Sequence, residues 1–142
     1  MRFVVDDGGR AAAGYKGLTG DCVTRAIAIA AQLPYQQVYD ALNETARKHE
    51  WAGRSGGRSD ARRGVHKQTI ARYMKSIGWE WTPTMFIGSG CTVHLRAEEL
   101  PPGRLVVSVS RHITSVINGV VHDTYDPTRE GMRCVYGYWR KA

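Results

Sequence analysis

Three side chains that together can attack an amide carbonyl occur in order along the chain: the Cys22 thiol, the His112 imidazole and the Asp123 carboxylate. Cys22 follows Gly20 and Asp21 and opens an alanine-rich apolar segment, which predicts a helix starting at the cysteine with Asp21 as N-cap. The positive end of the helix dipole and its unpaired N–H groups stabilise a thiolate and can hold an oxyanion. These residue types indicate nucleophilic catalysis if imidazole and carboxylate meet the thiol. The alternative is that Cys22 is a small buried side chain.

The segment around Asn118-Gly119 determines whether a carboxylate can reach His112. This dipeptide lies between two β-branched segments, which predicts a hairpin with a two-residue type I′ turn. In that register Thr114 faces Asp123, and Asp123 lies diagonally across from His112 on the same face of the sheet. A three-residue turn would exchange the faces and bring Asp126 beside the imidazole instead. We therefore predict Asp123 as the orienting carboxylate, with Asp126 as the alternative.

The elements that position these residues follow from hydrophobic periodicity. Residues 22–31 are apolar on nearly every side, which predicts a helix buried on most sides. Apolar spacings of three and four residues predict two further helices, one from Pro34 to about His49 and one over residues 66–77 that ends before Gly78. β-Branched and alternating segments predict strands over residues 3–5, 104–110, 112–117, 120–125 and 134–139.

Helices first and strands later predict an α+β fold, and 142 residues are the length of one domain, residues 1–142. The expected architecture is a central N-terminal helix that packs on an antiparallel sheet of four or more strands, with two flanking helices. Eight residues are predicted to be buried: Val23, Ile27, Leu42, Ile70, Met74, Leu105, Val107 and Val116.

The Gly20-Asp21-Cys22 helix start and the late hairpin over residues 112–127 resemble the papain-like cysteine peptidases. They are most similar to the compact bacterial kind, such as the bacteriocin-leader peptidase domains of peptide exporters. Residues 21–43 and 103–139 also resemble small phage and prophage proteins of this type. The resemblance implies a papain-like fold and a cofactor-free thiol hydrolase that acts on a peptide, isopeptide or protein substrate. Acyl transfer and an inactive binding scaffold are alternatives on the same fold.

The resemblance also implies roles for individual residues, with Cys22 as nucleophile, His112 as base and Asp123 as orienting group. The family's acid often precedes a proline, which favours Asp126, since Pro127 follows it. The family usually has a glutamine some six residues before the nucleophile to complete the oxyanion hole. Lys16 occupies that position in this chain, and Thr19 is closer to the cysteine. The candidates for oxyanion and substrate binding are therefore Lys16, Thr19 and Asp21.

A nucleic-acid-binding module is the main alternative function. The chain has 20 Lys and Arg against 13 Asp and Glu, a net charge of +7. Residues 61–79 are similar to a recognition helix that presents basic and amide side chains. A long Gly- and Arg-rich segment, not a tight turn, separates this helix from the preceding one, which disfavours a helix-turn-helix. The side chains that would contact DNA are Lys67, Gln68, Arg72 and Lys75.

Other features bear on metal, partners and location. Cys91 and His94 form a C-x-x-H pair without a second half, so we predict no metal site there and at least one free thiol among three cysteines. No apolar segment approaches the length of a membrane span and the N-terminus lacks a signal-peptide pattern, which predicts a cytoplasmic protein without membrane contact.

The arginines of residues 54–63 form a basic loop that either holds an acidic, extended partner over the site or is solvated.

Overall fold

The computed structural model of the protein describes residues 1–17, 20–51, 53 and 57–142. These residues form an α+β fold, as predicted, with helices in the first half of the chain and most strands in the second. The elements are β1 (Arg2–Val5), α1 (Cys22–Ala31), α2 (Tyr35–His49), α3 (Lys67–Ser76), β2 (Trp79–Pro83), a 3-10 turn (Ala97–Glu99), β3 (Arg104–Val109), β4 (His112–Ile117), β5 (Val120–Asp123) and β6 (Val135–Lys141).

The strands form one six-stranded mixed sheet in the order β1-β5-β4-β3-β6-β2. The expectation of an antiparallel sheet holds for every pair except β1 and β5, which run parallel. Most of the chain separates these two strands, and such a long connection allows parallel pairing. The edge strand β2 was not predicted, although the preceding helix does end before Gly78, whose φ is +85°. Pro83 is tolerated there because an edge strand does not need every N–H group.

The hairpin of β4 and β5 has the predicted register. Asn118 and Gly119 have φ values of 47° and 77°, as a type I′ turn requires. Val116 pairs with Val121, and Ser115 pairs with His122. The alternation of side chains then places His112, Thr114 and Asp123 on one face of the sheet, and the structure excludes the three-residue turn.

Hydrophobic clusters cover both faces of the sheet. On one face, α1 packs against β3 and β4, with α2 and α3 beside it. On the other face, the segment around Leu95 and Leu100 covers the strands. All eight residues predicted to be buried are buried in these two clusters. The packing of α1 on β4 brings the start of the helix, at Cys22, near the start of the strand, at His112.

Within the described ranges, no helix has the length and apolar character needed to cross a membrane.

Candidate active site

The candidate nucleophile lies at the predicted place, since α1 begins at Cys22 and this thiol is free and half-buried. Close packing fixes the chain just before it. A Cβ atom on Gly20 would lie 2.5 Å from the Arg63 carbonyl oxygen, so the turn at residues 60–64 leaves room there for glycine alone. The helix start is therefore set by contacts with a distant segment as well as by local sequence.

The carboxylate that orients His112 is Asp123. The Nε2–H group of His112 donates to Oδ2 of Asp123 at 2.7 Å, and the Thr114 hydroxyl donates to the same oxygen at 2.6 Å. The other oxygen, Oδ1, accepts the Thr124 N–H at 2.7 Å. His112 is 8% exposed and Asp123 4% exposed, so water competes little for these bonds. Burial alone raises the pKa of Asp123, but the hydrogen bonds from His112 and Thr114 outweigh it and hold that pKa below its usual value.

The thiol and the imidazole are coupled electrostatically. Burial raises the pKa of Cys22, but a hydrogen bond and the charge of His112 outweigh it, and the pKa of the thiol falls below its usual value. Burial lowers the pKa of His112, but its hydrogen bonds to Asp123 and Cys22 and the negative charge of both groups raise it to about 9. Both shifts favour the charged forms, thiolate and imidazolium, over the neutral pair.

Asp126, the alternative orienting residue, does not contact His112. It is exposed, and its Oδ1 accepts the backbone N–H of Thr128 at 2.9 Å inside a turn. The neighbouring Tyr125 lies against the imidazole instead, with ring centroids 5.1 Å apart. The exclusion of Asp126 follows from the two-residue turn, because that register keeps Asp123 on the face of His112.

The expectation that the Asp21 side chain caps α1 is wrong. Asp21 occupies the N-cap position, but its carboxylate makes no capping hydrogen bond and is 1% exposed. It is held by an ion pair with Arg25, by the Tyr35 hydroxyl at 2.6 Å and by Nε of Arg10 at 3.2 Å. Charged donors bind a buried carboxylate more strongly than helix N–H groups do. These contacts hold the Asp21 carboxylate in the protein interior.

Arg25 is a site residue that the sequence analysis missed. Its guanidinium pairs with Asp21 and also lies 3.7 Å from Oδ1 of Asp123, so it joins α1 to the hairpin. Its charge also contributes to the lowered pKa of Cys22. The spacing of four residues between Asp21 and Arg25 on a helix was a signal for the first contact. The second contact depends on how α1 packs on the sheet.

Of the two remaining oxyanion candidates, the structure describes Lys16 but not Thr19. Lys16 is exposed, and its carbonyl oxygen accepts a hydrogen bond from Arg62 at 3.2 Å. Thr19 lies outside the described residues, as do Arg54 and its two following neighbours in the basic loop. Of the arginines described in that loop, Arg63 pairs with Asp60 at 2.8 Å. These contacts fold the described part of the loop back on the chain itself.

The two side chains of the C-x-x-H pair, Cys91 and His94, make separate contacts. Cys91 forms a disulfide with Cys134, and His94 Nδ1 lies 3.2 Å from the Glu99 carboxylate. In the part of the chain that the structure covers, no group of three or more metal-ligating side chains is found. Disulfides are rare in reducing compartments, so the cytoplasmic location stays a prediction that this bond does not favour.

The basic helix predicted over residues 66–77 is α3. Its apolar side packs inward, and the four candidate DNA-contacting side chains Lys67, Gln68, Arg72 and Lys75 are all exposed. Residues 50–66 separate α3 from α2, so these two helices do not form a helix-turn-helix.

No protein-family model, curated protein or solved structure matches this chain. The interpretation of its function therefore depends on the geometry of its own residues.

Proposed function

We propose that this protein is a papain-like cysteine hydrolase that cleaves an amide bond of a peptide or isopeptide with Cys22, His112 and Asp123. One observation supports this most directly. A free thiol at a helix start shares an imidazole with a buried carboxylate, and both pKa shifts favour the thiolate–imidazolium pair. This arrangement of nucleophile, base and orienting group is the one that acyl-transfer chemistry requires.

The first half of the reaction forms a thioester. The Cys22 thiolate attacks the carbonyl carbon, and the carbonyl electron pair moves to the oxygen, where the N–H groups at the start of α1 stabilise the negative charge. Asp123 engages Nε2 of His112, so Nδ1 carries the proton that the leaving amine takes as the C–N bond breaks. The amine leaves neutral, and the acyl group remains on the Cys22 sulfur.

The second half releases the acid. Neutral His112 takes a proton from water, the hydroxide attacks the thioester carbonyl, and the carbon–sulfur bond breaks with its electrons returning to sulfur. Asp123 and Thr114 keep the ring in one orientation during both halves. An amine in place of water would give acyl transfer by the same steps, and the products formed in the presence of added glycine methyl ester distinguish the two reactions.

The test is alkylation of Cys22 by iodoacetamide at pH 6, followed by mass spectrometry. An ordinary thiol with a pKa of about 8.5 is about 0.3% ionised at that pH, so an ion-paired Cys22 reacts about tenfold to a hundredfold faster than free cysteine. His112→Ala removes this acceleration. His122→Ala is the matched control, because His122 lies on the same hairpin but on the opposite face.

Alkylation of Cys22 no faster than that of free cysteine would contradict the proposal. The alternative would then gain support from a gel shift of DNA with a steep salt dependence. In that case, replacement of Lys67, Arg72 and Lys75 together lowers the salt slope by about three.

A further inference from the structure

A groove of about 300 Å³ lies between α3 and the sheet, beside the candidate site. Its walls are mainly apolar and aromatic, with Ile70 on α3, Trp81 on β2, and Trp139 on β6. Trp139 and Ile70 are almost completely buried, whereas the Trp81 side chain is 39% exposed at the mouth. A concave surface of this composition is typical of a site that binds an apolar side chain.

The aromatic wall is built into the fold. The rings of Trp81 and Trp139 lie with their centroids 5.3 Å apart at an interplanar angle of 49°. Trp81 lies across β6 at Gly137, and a Cβ atom on Gly137 would collide with its ring. Glycine at this strand position therefore allows Trp81 to lie flat as a fixed wall of the groove.

Ile113 connects the groove to the candidate nucleophile. It directly follows His112 and lines the groove, and its backbone helps to lower the pKa of the Cys22 thiol. Both Cys22 and Ile113 pack against the same helix-side cluster. A peptide with its carbonyl at Cys22 therefore has the groove within reach of a nearby side chain.

The charge around the groove also restricts which residues can lie beside the bound side chain. Lys67 and Lys75 both line it and are exposed, and their spacing on α3 separates them by about 12 Å. Among the described residues, none that lines the groove is acidic. An apolar side chain in the groove thus places its sequence neighbours near two ammonium groups that carboxylates would complement.

We propose that the groove is a specificity subsite for a bulky apolar or aromatic residue that has Asp or Glu beside it in the substrate, close to the scissile bond. This inference rests on the proposed function, because it assigns the groove to the substrate of Cys22. The requirement for both an apolar and an acidic side chain distinguishes this substrate from nucleic acid, whose phosphates would bind the basic side chains without using the apolar groove.

Binding is measured first with the Cys22→Ser protein, which cannot form the thioester. The probe is acetyl-Gly-Asp-Phe-Asp-Gly amide, and its affinity is followed by NMR shifts of the Ile113 and Tyr136 amides. We expect about tenfold weaker binding when Phe is replaced by Ala. Replacing both Asp residues by Lys weakens binding several-fold at low salt, and the difference shrinks at 0.5 M salt.

Two variants test the walls of the groove, each with a matched control. Lys67→Glu with Lys75→Glu abolishes the preference for Asp over Lys, whereas Arg72→Glu, on the same helix outside the groove, keeps it. Trp81→Ala weakens binding of the Phe peptide, whereas Trp51→Ala, at a tryptophan that is 76% exposed elsewhere, does not. Because Lys67 and Lys75 are on the surface, their substitution still tests the groove if Trp81→Ala fails to fold.

The link to the nucleophile is tested in the wild-type protein, where the saturating Phe peptide slows iodoacetamide labelling of Cys22. Equal affinities for all three peptides, or groove binding that leaves labelling unchanged, overturn the subsite while the proposed function stands. Labelling of Cys22 that is slow at pH 6 without any peptide overturns the proposed function itself, and the subsite with it.

Discussion

Asp123 lies diagonally across the β4–β5 hairpin from His112, and its Oδ2 atom is 2.7 Å from the imidazole Nε2. Thr114, directly opposite Asp123 in the register, donates to the same oxygen. His112 and Thr114 thus bind Oδ2 of Asp123 on one face of the sheet, while Arg25, on α1, lies near Oδ1 of the same carboxylate. One buried group connects the helix that carries the thiol to the strand that carries the base.

Replacement of Asp123 tests the choice between the two aspartates. Asp123→Asn keeps the shape but removes the charge that supports the imidazolium, which is expected to lower the pKa of His112 by about 1–3 units. Labelling of Cys22 at pH 6 then slows by about tenfold or more. Asp126→Asn leaves the rate within about twofold, since that side chain is exposed and bonds only within its turn. Equal effects of the two variants would contradict the assignment.

The pH dependence of hydrolysis follows from the two pKa shifts. The pKa of the Cys22 thiol lies below its ordinary value, so the acidic limb of the profile, along which activity rises as the thiolate forms, lies at lower pH than for an unperturbed thiol. The pKa of His112 is raised to about 9, so the imidazolium that protonates the leaving amine is lost only as pH rises through about 9. We expect a bell-shaped profile of kcat/KM whose alkaline limb lies near 9. A decline that starts near pH 6.5 would show that His112 has an ordinary pKa.

Arg25 is expected to stabilise the fold as well as the site. Arg25→Met leaves the Asp21 and Asp123 carboxylates buried without their shared cation, which costs about 3–5 kcal/mol of the free energy of unfolding. Arg25→Lys recovers part of the loss, because one ammonium group cannot serve both carboxylates as a guanidinium does. Urea denaturation at pH 7 measures these differences. Arg72→Met, at an exposed site on α3, is the control and should change stability by less than about 0.5 kcal/mol.

The disulfide is expected to stabilise the protein without acting on the nucleophile. Cys91 and Cys134 are 43 residues apart, and closing a loop of this length restricts the unfolded chain by about 4 kcal/mol in the chain-entropy estimate. Cys91→Ala with Cys134→Ala therefore lowers the urea midpoint, and dithiothreitol then has no further effect. Cys22→Ser retains the response to dithiothreitol. Slower Cys22 labelling in the double alanine variant would contradict the separation of the two features.

Local sequence patterns were sufficient for most of the elements. The helix starting at Cys22, the helices on either side of residues 50–66, and the hairpin at Asn118-Gly119 were all predicted. These features depend on periodicity and turn chemistry, which act over a few residues. The hairpin register was also predictable, because the turn fixes it, and it brought Asp123 rather than Asp126 to His112.

The sequence by itself determined the order of thiol, imidazole and carboxylate and the local elements that carry them. Only the tertiary structure decided which distant groups meet: the inward turn of Asp21, the bridge from Arg25 to Asp123, the Cys91–Cys134 bond and the parallel pairing of β1 with β5. The physical reason is that these contacts join segments far apart in the chain. Their partners are selected by burial and by the packing of α1 on the sheet, which no short-range pattern encodes.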